Sequence, residues 1–210
     1  MFRFLFVIFL SAVSVSALAN DRTILVLGDS LSAGYGINVE NGWVSLLNER
    51  LSKQGYSYKV INSSISGDTT RGAYVRLVRE LENRAPDIAI IELGGNDGLR
   101  GLSLDEMREN LARIIDQLSK AGSSILLIPI QLPPNYGPVY NEKFMQIYRD
   151  LAREKKVTLA RFILQDIADK PQLMQNDGIH PLESAQIQML DNIWPQLESL
   201  LAEAAVVRVP

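Results

Sequence analysis

Three observations predict an α/β fold of three layers, with helices on both faces of a five-stranded parallel sheet. Short apolar runs recur along the chain, helical patterns lie between them, and no repeat, linker or change of composition interrupts the alternation. The chain has 210 residues, a length that suits one domain with a substantial core.

The N-terminus stands apart from this alternation. Met1, Phe2 and Arg3 make a short positive start, an apolar run follows from Phe4 to Val15, and Ala17-Leu18-Ala19 fits a small-x-small cleavage site. Residues 1–19 read as a secretory signal peptide and residues 20–210 as a single domain beginning at Asn20. The run is too short for a membrane span and is diluted by Ser11, Ser14 and Ser16. No stable membrane anchor is therefore expected after cleavage, and the mature protein is expected to be secreted.

The first strand is Thr23 to Leu27, a continuous apolar run closed by Gly28, as in a strand buried on both faces. Tyr58 to Ile61, Ile88 to Leu93, Ser124 to Ile130 and Val157 to Phe162 read the same way. Trp43, Leu46, Leu47 and Leu51 mark a helix that stops before Gly55. Leu104, Met107, Leu111, Ile114, Ile115 and Leu118 share one face of another, with Ser103 and Glu106 as a capping box and Gly122 past its end. Phe144, Ile147, Tyr148 and Leu151 mark a third, with Asn141 as the expected N-cap. Five strands in this alternation point to the flavodoxin-like order 2-1-3-4-5, whose ligands sit at the carboxyl ends of the strands.

Composition narrows the chemistry. The formal charge is −3, and losing Arg3 leaves 20 basic against 24 acidic residues, which argues against a nucleic-acid partner. There is no cysteine, hence no disulfide, thiolate nucleophile or cysteine zinc site, and the one histidine, His180, rules out a His-rich metal site.

Four segments fall at the predicted strand ends: Gly28-Asp29-Ser30-Leu31-Ser32, Ser66-Gly67-Asp68, Gly94-Gly95-Asn96-Asp97 and Asp177-Gly178-Ile179-His180-Pro181. Each alone reads equally well as a turn or a helix cap. Together they hold every part of a nucleophilic hydrolase. A serine hydroxyl needs a base to take its proton, and histidine is the side chain suited to that at neutral pH. Ser30 is the expected nucleophile, His180 its base, and Asp177 the carboxylate that reaches back to hold the imidazole. Pro181 is expected to keep His180 extended and to open the final helix. The backbone N–H groups of Ser30 and Gly67, with the Asn96 side-chain amide, are the expected oxyanion hole. At position 67 glycine lets the backbone approach a substrate without a Cβ in the way.

These segments resemble the SGNH, or GDSL, hydrolase family, named for the serine, glycine, asparagine and histidine that here fall on Ser30, Gly67, Asn96 and His180, with Asp177 completing the triad. The resemblance runs from about Ile24 to about Pro195. Ser32 stands where a G-x-S-x-G elbow has its second glycine, which argues against the common α/β-hydrolase fold. Gly94 to Gly101 and Leu132-Pro133-Pro134-Asn135-Tyr136-Gly137 look like the periplasmic bacterial thioesterases of this family, also described as lysophospholipases and arylesterases. That resemblance implies an esterase and thioesterase acting on small-molecule acyl esters, acyl-CoA, lysophospholipids and aryl esters; the triad chemistry needs no cofactor, and a monomer is expected. Asp29, Leu31, Leu99, Leu102, Pro134 and Ile179 are the expected substrate-binding residues. Gly98 to Leu102 is expected to be a mobile wall of the acyl groove, its two glycines giving backbone freedom.

Three rival readings remain at this point. One is a carbohydrate O-deacetylase of the same family, and another a non-catalytic periplasmic binding module. The third is a metal-dependent phosphoesterase built on Asp29, Asp68, Asp97 and Asp177. Glu92, a charge inside an apolar strand, is expected to play a structural part, accepting backbone N–H groups of neighbouring rim loops.

Overall fold

The computed structural model describes residues 22–83 and 85–206. The expected signal peptide at residues 1–19 lies outside the described residues. Five parallel strands form one sheet in the order β2-β1-β3-β4-β5. They are β1 (Arg22–Gly28), β2 (Tyr58–Asn62), β3 (Ile88–Glu92), β4 (Ser124–Leu127) and β5 (Thr158–Leu159).

The crossovers explain the three layers. From β1 the chain moves outward to β2, then returns past β1 to β3 and continues the other way. Right-handed crossovers running in opposite directions put their helices on opposite faces. One face carries α2 (Trp43–Lys53) and the final helix α7 (Gln186–Val206), packed on Ile24, Val26, Ile88, Ile90 and Leu126. The other carries α3 (Thr70–Asn83), α5 (Leu104–Lys120) and α6 (Pro138–Lys155), packed on Leu25, Leu27, Ala89, Ile91 and Leu127. Alternate residues of each strand thus feed two separate cores, which is why Ile24 to Leu27 of β1 and Ile88 to Ile91 of β3 are apolar at every position.

The structure corrects several expectations. β2 is not buried on both faces: it is an edge strand, with Lys59 and Ile61 exposed. β4 and β5 are shorter than their apolar runs because β5 pairs only Thr158 and Leu159, with Leu126 and Leu127. Ile128 goes to the core instead, and Ile130 lines a cleft. Asn141 does not cap α6; that helix begins three residues earlier, with Gly137 at the cap and Pro138 in its first turn. The Asn141 amide is turned back to donate to the carbonyls of Leu132 and Pro133, at 3.3 and 3.2 Å. Ser103 does cap α5, accepting from the Glu106 amide at 3.3 Å.

The reversal between β1 and β3 opens a crevice at their carboxyl ends, where open α/β sheets bind ligands. Gly28 and Glu92 stand in register as the last residues of these strands. The segments that follow, Asp29-Ser30 and Leu93 to Asn96, therefore leave the sheet side by side.

Candidate active site

Ser30 begins α1 (Ser30–Ala33), a single helical turn. Asp29 is its N-cap, accepting the Leu31 amide on Oδ1 at 3.1 Å, and Gly34 closes it in the left-handed conformation. The turn lies tight on the sheet: a Cβ on Gly28 would come within 2.7 Å of Ser32 Cβ. A larger residue there would lift Ser30 off the strand end.

His180 approaches from the far end of the chain. Its Nε2 lies 2.8 Å from Ser30 Oγ and its Nδ1 2.7 Å from Asp177 Oδ2. A carboxylate accepts only, so Nδ1 carries the proton facing Asp177 and Nε2 is left to accept from the Ser30 hydroxyl. Asp177 Oδ1 also accepts the amides of Ile179 and His180, at 2.9 and 3.0 Å. Burial alone would raise this carboxyl, but the bonds from the His180 amide, the imidazole and the Ile179 amide outweigh it and hold Asp177 down at about 2.

Pro181 does not open the final helix, which starts only at Gln186. It forms an antiparallel bridge with Met174, and the Gln175 amide donates to the His180 carbonyl at 2.7 Å. A short two-stranded clip, not a helix start, therefore fixes the imidazole. Sequence reasoning missed two residues of this clip. The Gln175 side chain donates to the carbonyls of Tyr35 and Pro181, joining the loop after α1 to the loop that carries His180. The Tyr35 ring lies with its centroid 4.5 Å from that of the imidazole. Neither residue belongs to a motif, and only Gly36, whose Cβ would strike the Gln175 amide, hints at the close approach.

Gly67 follows β2 with a φ of +80°, a conformation that favours glycine, and its carbonyl accepts from Arg100 Nη2 at 2.8 Å. Asn96 lies in α4 (Gly95–Leu99), whose cap Gly94 has a φ of 114°, and its Nδ2 donates to Asp29 Oδ2 at 3.1 Å. Ser30, Gly67, Asn96 and His180 all border one cleft of about 650 Å³. Asp29, Leu31, Leu99, Pro134 and Ile179 border it too. Asp177 stands behind His180, outside the lining. The remaining wall is mostly apolar and partly unforeseen, with Ile130, Leu132, Phe162, Leu164 and Met174 beside Gln131 and Asp169.

Leu102 does not belong to it. It is 43% exposed and is not among the residues that line the cleft. In the expected mobile wall at Gly98 to Leu102, Gly101 has a φ of +63° with open space around it, whereas Gly98 is helical and buried, and a Cβ on it would meet Leu132 and Phe144 within 2.8 Å. Glycine is needed there for close packing rather than for backbone freedom.

The carboxylates of the metal reading have separate partners. Asp68 is paired with Arg76 at 2.9 Å, Asp97 accepts the amide and hydroxyl of Thr70, and Asp177 holds His180. Among the described residues no group of three or more His, Asp or Glu side chains could hold a metal ion. Glu92 is fully buried, and its Oε2 accepts from the Ser32 hydroxyl at 2.7 Å and from the Asp29 amide at 3.4 Å. Burial first, then the charge of Asp29, push its carboxyl well above the usual range. It tethers the turn that carries Ser30 to β3, with the Ser32 hydroxyl and the backbone of Asp29 and Ser32, all from that one turn, where amides from several loops were expected.

Comparison with known proteins agrees with this geometry. Residues 26–186 match the model of the GDSL-like lipase/acylhydrolase family. Esterase TesA of Pseudomonas aeruginosa is 45% identical over 192 residues, covering 91% of this chain and 96% of that protein. The thioesterase 1/protease 1/lysophospholipase L1 of Escherichia coli is 42% identical over 194 residues, covering 92% of this chain and 91% of the relative. The crystal structure of a psychrotrophic esterase, EstA of a Pseudoalteromonas species, inhibited by monoethylphosphonate, superposes with a TM-score of 0.82 at 40% identity, over 87% of this chain and 100% of that one. With strand order, cleft and sequence in agreement over most of its length, the chain belongs to the GDSL-like lipase/acylhydrolase family.

Proposed function

We propose that this protein is a serine hydrolase that cleaves acyl esters and thioesters through an acyl-enzyme on Ser30. One observation carries the reading: a single imidazole bridges a serine hydroxyl at 2.8 Å and a carboxylate at 2.7 Å, on the edge of an apolar cleft. Ser30 Oγ attacks the acyl carbonyl while its proton passes to His180 Nε2. Asp177, ionised far below neutral pH, holds the ring and balances the imidazolium that forms. The carbonyl oxygen becomes an oxyanion held by the Ser30 and Gly67 amides and Asn96 Nδ2. The tetrahedral intermediate collapses, the bond to the leaving group breaks, and His180 gives its proton to the departing alkoxide or thiolate. Water then repeats the sequence on the acyl-enzyme, releasing the acid and returning Ser30. No step calls for a cofactor.

The apolar wall from Leu99 to Phe162 fits an acyl chain longer than acetyl. The names of the relatives, esterase and thioesterase/lysophospholipase, support the same substrate class. The N-terminal sequence supports export to the periplasm. The test is Ser30→Ala. It should abolish hydrolysis of p-nitrophenyl esters and labelling by a fluorophosphonate while the thermal melt is kept. Labelling that survives on another serine would refute the assignment.

A further inference from the structure

The geometry points to Asp29 as a positioning residue for the oxyanion hole: its carboxylate fixes which way the Asn96 amide faces. The inference rests on the reading of Asn96 given above. An asparagine side chain can present either its oxygen or its NH2 to a site, and rotation about its Cβ–Cγ bond exchanges them. Asp29 Oδ2 lies 3.1 Å from Asn96 Nδ2. A carboxylate cannot donate, so turning the Asn96 oxygen toward it would set two acceptors face to face. The NH2 is therefore held against Asp29, and its second N–H is left for the cleft that Asn96 borders. The flipped amide would aim a lone pair at the developing oxyanion in place of a donor.

Asp29 is itself fixed. It is 3% exposed, its Oδ1 is taken by the Leu31 amide at 3.1 Å, and its own amide donates to Glu92 at 3.4 Å. It thus couples two motifs that are 67 positions apart in sequence. The turn that presents Ser30 also presents the group that aims Asn96, so nucleophile and oxyanion donor keep one register. The ionisable groups facing Asp29 are Glu92 from β3, Asp68 from the loop after β2, Tyr148 from α6, and His180. Burial pushes Asp29 up to about 6, so assays belong near pH 8, where it is ionised.

The test is a double-mutant cycle with Asp29→Asn and Asn96→Ala. An asparagine at position 29 can still cap Leu31, but it no longer forces the choice at Asn96. Alone, Asp29→Asn should lower kcat roughly tenfold to a hundredfold, the worth of one charge-assisted hydrogen bond, with KM nearly kept. In the Asn96→Ala background the same change should cost less than about threefold, because its target is gone. An equal loss in both backgrounds would make Asp29 a structural residue and overturn the proposal. If Asn96→Ala alone left kcat unchanged, the oxyanion reading would fall and this inference with it. A second measurement needs no variant. The two Asn96 side-chain amide protons do not interconvert quickly, since amide rotation is slow. In the wild type one should exchange with solvent at least tenfold more slowly than the other. Equal exchange would overturn the proposal whatever the variants do.

Discussion

Gly94→Ala should destabilise the protein by about 4 kcal/mol, and most of that can be assigned to two causes. Gly94 is the cap from which α4 presents Asn96, and its φ of 114° is a region that residues with a Cβ rarely enter. Forcing alanine into it costs about 1–3 kcal/mol. The new Cβ would also overlap the hydroxyl of Tyr148, a fully buried side chain, and would stand 3.0 Å from Met107 Cε. That hydroxyl donates to the Leu93 carbonyl at 2.8 Å, and displacing it leaves a buried acceptor unpaired, at about 1–3 kcal/mol. The sum near 4 kcal/mol corresponds to a fall in Tm of roughly 8–16 °C for a chain of this size. The two causes are separable because Tyr148→Phe removes the same hydrogen bond without the strain. Adding the two single losses counts that bond twice. The double variant should therefore be about 1–3 kcal/mol more stable than the sum of the singles, as read from urea melts. Additivity within about 0.5 kcal/mol would show that Tyr148 moves aside with its bond intact, and the reasoning would fail.

Leu99→Ala and Leu102→Ala should behave differently, because only Leu99 borders the cleft. With p-nitrophenyl esters of increasing length, Leu99→Ala should lose kcat/KM by roughly fourfold per methylene no longer covered, and Leu102→Ala should track the wild type. A loss at Leu99 that is the same for acetyl and octanoyl esters would mean that it supports the site without touching the chain. Asp177→Asn keeps an acceptor for the Ile179 and His180 amides but can present a donor to the imidazole, so kcat should fall by about 10⁴ with folding retained. A fall below about tenfold would remove Asp177 from the mechanism. Asp29, raised by burial from 3.8 to about 6, contributes stability that is present below pH 4 and is lost as the pH rises through about 6. The stability of Asp29→Asn relative to wild type should therefore rise between pH 4 and pH 7, by at most about 1.4 kcal/mol per pH unit, and a flat difference in denaturant melts would contradict the shift.

Much of this molecule was legible because its motifs sit where topology concentrates chemistry. Continuous apolar runs ending in Gly28 and just before Gly94 located β1 and β3, and the alternation with helices then implied strand order and rim. Ser30, Asp177 and His180 followed because few residue types can serve as nucleophile and base, and the chain has only one histidine. The apolar pattern failed where it records burial and not pairing. The run from Ser124 to Ile130 is buried from Ile125 onward, yet beyond Leu127 it faces core and cleft without a fifth-strand partner. Pro181 and Asn141 misled for a related reason. Proline suits an extended bridge as well as a helix start, and asparagine suits a loop clamp as well as a cap. The Gln175 clip, the Tyr35 ring and the Asp29–Asn96 bond join residues far apart in sequence, and no local pattern encodes such contacts.

The two aspartates of the rim show why position, not residue type, assigns the roles. Both begin a turn, and both accept backbone amides two residues ahead. Asp177 has a side chain 39% exposed and receives two amides and an imidazole, so its charge is welcome and its carboxyl falls to about 2. Asp29 is sealed against the sheet with Glu92 behind it, so its charge is costly and its carboxyl rises to about 6. A partner for a charging imidazole must stay ionised throughout the cycle, which Asp177 does and a carboxyl in the position of Asp29 would not. A residue beside an oxyanion works under the opposite constraint, because a full negative charge there opposes the charge that develops. Spending the Asp29 charge on the Leu31 amide and the Asn96 NH2 turns that liability into orientation. In the proposed mechanism, the crevice between β1 and β3 would thus use two identical side chains differently, Asp177 as an ionised partner for the base and Asp29 as a buried guide for the oxyanion donor.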